Sequence, residues 1–274
     1  MKKTNSVLLS TPYLLWMAAF TLVPLGVVGY YALTDPSTGV FTLGNLKNLG
    51  MYLPVLWKSI AYSFVSAMIC LLLGYPLAYS IARRTQRVQQ TMIMLIMLPM
   101  WMNFLLRIYA WMSILENRGF INQFLGLFGL RANLINTDGA VVLGMVYDFL
   151  PFMILPIYTT LIKIDRSHIE AAHDLGANGL NTFLRVVLPQ SVPGIISGIT
   201  MVFVPAMSTF AVSTMLGGKK IVLFGQLIEE KFLINKSFGV GSTLSLVLII
   251  LVIISMVIMR RADRDEGREG GTLW

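Results

Sequence analysis

Apolar residues in this 274-residue chain gather into long blocks separated by short polar connectors, a pattern of helices crossing a bilayer rather than of alternating strands. A helix needs about 20 mostly apolar residues to cross the hydrocarbon core. Six stretches meet or approach that length: Pro12 to Leu33, Trp57 to Ala82, Thr91 to Ile114, Ala140 to Leu161, Pro193 to Val212 and Thr243 to Met259. The first, second and sixth are clear. The third is interrupted by Pro99, Asn103 and Arg107, the fourth by Asp148, Pro151 and Pro156, and the fifth by Pro205, Ser208 and Thr209. Lipid cannot satisfy the groups such residues free, so these three helices are expected to face a protein interior or a wet cavity. The pattern predicts an all-α integral membrane domain over residues 1–261 and a solvated, charged and glycine-rich tail over residues 262–274.

Charge sets the orientation. The connector between spans two and three carries Arg83, Arg84 and Arg87 without an acid, which marks it as cytoplasmic. Lys2, Lys3, Arg260 and Arg261 agree, and six spans place both termini on that side. Lys219, Lys220, Lys231 and Lys236, after span five, run against the rule, with Glu229 and Glu230 offsetting part of their charge. No small-residue cleavage site follows the N-terminal lysines, so the first helix is read as uncleaved.

The chain is 56% apolar and 12% charged, about half the ~25% charge of a soluble domain, which excludes disorder and a separate soluble core. The net charge of +8 sits beside the membrane blocks, without a nucleic-acid motif or aromatic interleaving, so nucleic acid is not an expected partner and the membrane lipid is. Cys70 is single and lies in an apolar block, where it is expected to pack as a small hydrophobe. His168 and His173 lack further His or Cys neighbours to complete a metal site. No G-x-x-x-x-G-K-[ST] phosphate loop occurs, since Gly217, Gly218, Lys219 and Lys220 lack its spacing and hydroxyl, and no Ser/His/Asp arrangement is placed for catalysis. The chain is therefore read as a non-enzyme without cofactor or metal of its own, and any ATP must be handled by another chain.

Residues 163–193, KIDRSHIEAAHDLGANGLNTFLRVVLPQSVP, are too polar for the bilayer. Asp165 or Ser167 can cap a helix running through Glu170 and Leu175; Gly176 to Gly179 supplies a turn; a second short helix, Leu180 to Val187, is expected to stop at Leu188 and Pro189. The product is a helix-turn-helix elbow outside the membrane, between spans four and five.

Glu170, Ala171 and Ala172, Gly176 four residues on, Val186 in place of the usual isoleucine, and Leu188 with Pro189 resemble the EAA signature of ABC-importer permeases. LLLGYPLAYSIAR (Leu71 to Arg83), LPMWMNFLLRIYAW (Leu98 to Trp111), LPFMILPIY (Leu150 to Tyr158) and PAMSTFAVSTMLGGKK (Pro205 to Lys220) are similar to stretches of spermidine/putrescine permeases of the PotB type. The resemblance implies a six-helix type I importer subunit in a bacterial inner membrane, paired with a PotC-type permease, an ATPase homodimer that carries ATP and Mg, and an extracytoplasmic substrate-binding protein. It also implies that Glu170, Ala171, Ala172, Asp174, Gly176, Leu188 and Pro189 form the surface that couples to the ATPase. Ser213 and Thr214 stand where that subunit often has an acid. Another small solute, or a self-contained ion-coupled carrier, remains the alternative; six spans without an evident inverted repeat are awkward for a carrier.

Asn103, Arg107 and Trp111 follow at four-residue spacing and are expected on one face of span three. An arginine at that depth costs about 3 kcal/mol on insertion scales and needs a partner, for which Asp148 is the other firmly internal charge. A structural Arg107–Asp148 pair is favoured over direct substrate contact. The functional reading has Asp148, with Glu116, Tyr109, Trp111 and Tyr147 nearby, offering carboxylate and π contacts to a cationic amine. On span five, Pro205, Ser208, Thr209, Val212 and Ser213 form either a stripe lining the path or a stripe of small residues packed between helices. In the resembled family this span helps to form the gate.

Overall fold

The computed structural model describes residues 12–13, 15–35, 39–47, 49–218 and 220–269. Lys2, Lys3, Lys219 and the last five residues of the tail lie outside the described residues. The elements are α1 (Leu15–Leu33), α2 (Leu53–Ala82), α3 (Gln86–Met97), α4 (Phe104–Leu115), α5 (Phe120–Gly126), α6 (Asp138–Leu161), α7 (Arg166–Asp174), α8 (Gly179–Ser208), α9 (Phe224–Leu233) and α10 (Phe238–Glu269). An isolated antiparallel bridge joins Thr34 to Phe41, and no strand forms among the described residues. α1, α2, α6, α8 and the Phe238–Met259 part of α10 are each long and apolar enough to cross a membrane. The backbone of α10 stays helical to Glu269, well into the stretch expected as a tail.

The expected third span, Thr91 to Ile114, is not one helix. α3 with its closing 3-10 turn, Leu98–Trp101, and the helical segment that begins with α4 meet at 88°. Pro99 has no N–H to continue the ladder, and Met102 turns extended at ψ 148°. Asn103 then caps the next helix, its side-chain oxygen accepting from the N–H groups of Leu105 (2.9 Å) and Leu106 (3.4 Å). Together the two pieces are long and apolar enough to count as a sixth, bent span.

A second departure concerns Leu188 and Pro189, where the sequence suggests a stop. The helix passes straight through them, from Gly179 to Ser208. It does so by a π turn at Phe183–Val187, in which the Leu188 N–H reaches back to the Phe183 carbonyl, so that Pro189 enters at the start of a fresh α-helical ladder. α1 uses the same device: a π turn at Ala18–Leu22 precedes Pro24. The fifth span thus starts earlier than expected and ends earlier too, at Ser208. Thr209 turns extended, and a separate π turn, Ser213–Gly217, follows.

The described residues fall into two compact units. In the first, residues 1–54 and 227–251, the Asn45 amide donates to the carbonyls of Tyr31, Ala32 and Thr34, closing the otherwise unpaired C-terminal end of α1. Thr243 on α10 donates to the Ala32 carbonyl as well (3.4 Å), and Phe238 lies against Tyr31 and Phe232.

The second unit, residues 55–226 and 252–274, is organised around α6. Met145, Met153, Ile154 and Ile157 on this helix are fully buried. α8 approaches through Gly194 and Gly198, a small-xxx-small pair. A Cβ on Gly194 would lie 2.6 Å from the Thr160 hydroxyl and 2.8 Å from the Pro156 carbonyl; one on Gly198 would lie 2.7 Å from the Met153 sulfur. α2 approaches the same stretch through Gly74, beside Met153 and Ile154. Cys70, on α2, is fully buried, and its thiol also donates weakly to the Val146 carbonyl (3.7 Å) in the turn before Pro151. Tyr75 on α2 and Ser191 on α8 share a hydrogen bond of 2.9 Å.

Because the Pro156 carbonyl and the Thr160 Cβ, 2.8 and 2.9 Å from a Cβ at Gly194, cannot move aside cheaply, Gly194→Val is expected to destabilise the α6–α8 contact by about 1–3 kcal/mol. Thermal stability in detergent should fall accordingly, whereas Gly126→Ala, at a site with open space around it, should leave it unchanged.

Candidate functional site

Two groups of residues carry chemistry, one at membrane depth and one in the elbow. At membrane depth α4 crosses α6. Arg107 projects from α4 with 9% of its surface exposed and Asp148 from α6 with 3%. Their nearest charged atoms, Nη1 and Oδ1, are 3.4 Å apart. That is an ion pair, longer than the 2.7–2.9 Å of a charge-assisted hydrogen bond. The Arg107 guanidinium also lies 5.9 Å from the centre of the Phe104 ring. Neither carboxylate oxygen of Asp148 accepts a hydrogen bond, so the carboxylate keeps acceptor capacity while its charge is countered from one side. One residue before Asp148, Tyr147 meets Trp111 edge-to-face at 5.3 Å. The two helices therefore touch through a charged pair and an aromatic pair side by side.

The structure gathers four of the residues singled out in the sequence and leaves the others apart. Asn103 is exposed and occupied in capping α4. Tyr109 is 47% exposed, and Glu116 is an exposed C-terminal cap of α4. Ser208 is exposed at the end of α8, with its hydroxyl donating to the Val204 and Pro205 carbonyls. Thr209 is buried. Ser213 is fully buried, and its hydroxyl donates to the Phe210 carbonyl (2.9 Å), so it packs rather than facing open space. The alternation expected of a helix fails there because the chain leaves α8 at Thr209.

The elbow forms as a helix, a turn and a second helix. Asp165 caps α7, its carboxylate accepting from the Ser167 N–H (2.9 Å). That backbone bond, then the Ser167 hydroxyl, hold the Asp165 carboxyl below the ordinary carboxylate range. α7 closes with the Gly176 N–H on the His173 carbonyl and the Ala177 N–H on the Ala172 carbonyl, and Gly176 has φ +81°, which a side chain would strain. Glu170, Ala171, Asp174 and Leu175 are exposed, Leu175 at 89%. Leu180 and Leu184 on α8 are exposed too, at 66% and 48%. Leu188 is half-buried and Pro189 exposed, both within α8. The result is a convex polar shoulder with apolar tips. His168 pairs with the Gln190 side chain and His173 with the Ala177 carbonyl.

Two contacts lay outside the sequence reading. Gln89 donates to the Ala82 (2.9 Å) and Arg84 (2.8 Å) carbonyls at the end of α2 and accepts from the Tyr158 hydroxyl on α6 (3.1 Å). It clamps three helices at the level of the elbow. Tyr62 on α2 donates to Asp138 in the first turn of α6. An acid beside a helix N-terminus was the visible signal for Asp138; nothing in the pattern marked Gln89.

A family model described as the binding-protein-dependent transport system inner membrane component matches residues 4–267. The chain is 38% identical over 264 residues to the spermidine/putrescine transport system permease protein PotB of Haemophilus influenzae, covering 93% of this chain and 92% of that one. It is 36% identical over 259 residues to the protein of the same name from Escherichia coli, covering 91% and 94%. Among solved structures, a chain of a bacterial ABC transporter involved in the import of the acidic polysaccharide alginate superposes with a TM-score of 0.78 at 16% identity, over 97% of this chain and 96% of that chain. A chain of the MetNI methionine ABC transporter gives 0.61 at 18% identity, over 80% and 97%. At those identities the likeness establishes the fold.

Removing one member of a buried ion pair strands the other, at a cost of about 3–5 kcal/mol, whereas removing both need not. Arg107→Leu and Asp148→Leu are each expected to lower the level of protein recovered from the membrane, and the double variant to recover most of the loss, as read by thermal stability across the cycle. For the elbow the sign follows from a lowered folded-state pKa. The contribution of Asp165 is complete above the unfolded carboxylate range and disappears as pH falls through its lowered value. Amide exchange in α7 should therefore be slow at neutral pH, quicken in strong acid, and be quick at every pH in Asp165→Ala.

Proposed function

The chain belongs to the family of binding-protein-dependent transport system inner membrane components, and on that premise we propose that it is the permease subunit through which an ABC importer moves polyamines into the cell. It is a membrane permease; ATP hydrolysis belongs to a separate ATPase subunit, and an extracytoplasmic binding protein delivers the solute. The observation that carries the polyamine assignment is identity of 38% and 36% along more than nine-tenths of the chain with PotB permeases from two organisms.

In this reading residues 1–261 form the transport domain, with the α2–α3 connector, the elbow and both termini on the cytoplasmic side and a PotC-type sister permease completing the pathway. Glu170, Ala171, Ala172, Asp174, Gly176, Leu188 and Pro189 belong to the elbow that the ATPase grips. The small alanines let the partner approach closely, and the apolar tips Leu175 and Leu180 fill its cleft. Closure of the ATPase then pushes α7 and α8 as one lever, because α8 continues without a break from the elbow into the membrane. Arg107, Asp148, Trp111 and Tyr147 sit where that motion meets the broken span. An amine passing there finds a carboxylate already balanced by Arg107 and two aromatic rings, contacts weak enough for release.

The test is reconstitution. The complete importer, purified with its ATPase, sister permease and binding protein, should take up spermidine or putrescine only with ATP, and this chain alone in liposomes should transport nothing. Glu170→Lys should leave the chain inserted and abolish uptake. Gradient-driven uptake by the isolated chain would overturn the assignment in favour of an ion-coupled carrier.

A further inference from the structure

A cleft of about 920 Å³ opens beside the elbow, bounded by the end of α2, the turn into α3, the end of α6, and the facing sides of α7 and the first turns of α8. Arg83 and Arg84 line it from the α2–α3 turn and Arg166 from α7. Glu170 is the carboxylate in the wall, so positive charge is in excess. None of the three arginines is in an ion pair; among the described residues the one salt bridge is Arg107–Asp148. Arg83 lies over the Tyr79 ring, 5.4 Å from its centre, which orients the guanidinium without neutralising it. Three arginines lining one cleft offer planar guanidinium donors suited to an anion with several acceptor oxygens, such as a phosphate.

The rest of the wall decides between kinds of phosphate. Leu161, Ile162 and Ile169 give the cleft an apolar side as well as its charged one. A soluble anion would leave that side in water, whereas a phospholipid matches both halves. The level is right as well: α2 and α6 leave their apolar spans here, at Ala82 and Leu161, which is the depth of the headgroups. Basic pockets at this level are the usual recognition chemistry for anionic lipid headgroups.

We propose that the cleft binds the phosphate of an anionic phospholipid through Arg83, Arg84 and Arg166, with the lipid's glycerol end against Leu161 and Ile169. Bound there, the lipid ties the elbow to the membrane end of α2, so the docking surface is held by the bilayer as well as by the chain. The site does not depend on which solute is moved or on whether an ATPase docks.

The full-length chain, purified from membranes containing phosphatidylglycerol and phosphatidylcholine, is tested for retained lipid by mass spectrometry. Phosphatidylglycerol should be enriched, and Arg84→Gln should reduce its retention roughly fivefold, the equivalent of one arginine near a charged bilayer surface. Arg84→Lys should keep most of it. Arg87→Gln is the control, because Arg87 lies in the same connector but outside the cleft wall; it should change nothing. Unchanged retention in Arg84→Gln, or an equal loss in Arg87→Gln, would overturn the site in favour of diffuse surface charge. Displacement of the retained lipid by inorganic phosphate would make the ligand a soluble anion and overturn the lipid assignment. Should Arg84→Gln keep its lipid but lose ATPase from the purified importer, the arginines belong to a protein interface and the proposal is wrong.

Discussion

A proline inside a membrane removes a donor and crowds the preceding turn, and lipid offers nothing in exchange. Most of what distinguishes this chain from a plain bundle answers that constraint. At Pro99 the answer is a break, with Asn103 starting a new helix at 88° to the old one. At Pro24 and Pro189 it is a π turn placed just before the ring. At Pro156 the helix continues through the ring, as it does at Pro76, Pro151, Pro193 and Pro205. The outcomes differ in geometry: the break turns the chain by 88°, whereas the π turn at Phe183–Val187 leaves α8 continuous from Gly179 to Ser208.

α6 is the fixed member. Its neighbours approach through glycine, at Gly74, Gly194 and Gly198, so contact is made backbone to side chain with little slack. A tightly packed interior transmits displacement because it cannot absorb it. α8, unbroken from the elbow to Ser208, is therefore suited to carry a push at the elbow to the level of Arg107 and Asp148. The broken span next to it has the opposite character, since α4 is joined to α3 by an extended link at Met102.

Charge follows the same division. The one ion pair among the described residues joins α4, beyond the break, to α6. Its length of 3.4 Å and the open acceptors of Asp148 make it a contact that holds the helices together without using all of the carboxylate's capacity. Among the described residues of the elbow and the cleft beside it, no charged side chain is in an ion pair.

Composition and periodicity alone determined that this is a helical membrane protein, where the first, second, fourth and sixth of its expected spans lie, and that residues 163–193 hold a helix, a turn and the start of a second helix. Those properties come from transfer free energies summed over some twenty residues, which no local contact overrides. The pairing of Arg107 with Asp148 was legible for a related reason: two charges at depth must find each other. Tertiary structure alone decided the rest. A proline in a span signals a disturbance without saying whether the chain breaks, passes through a π turn or simply continues, because those outcomes differ in what packs around them. Pro189 read as a stop and proved to be a passage, since its ladder is restarted by the widened turn at Phe183–Val187. Ser213 read equally as lining or as packing, and it is buried, since the chain leaves α8 at Thr209 and the helical spacing no longer applies. Gln89 carried no signal, because a glutamine clamps three helices only once they have been brought within 3.1 Å of it.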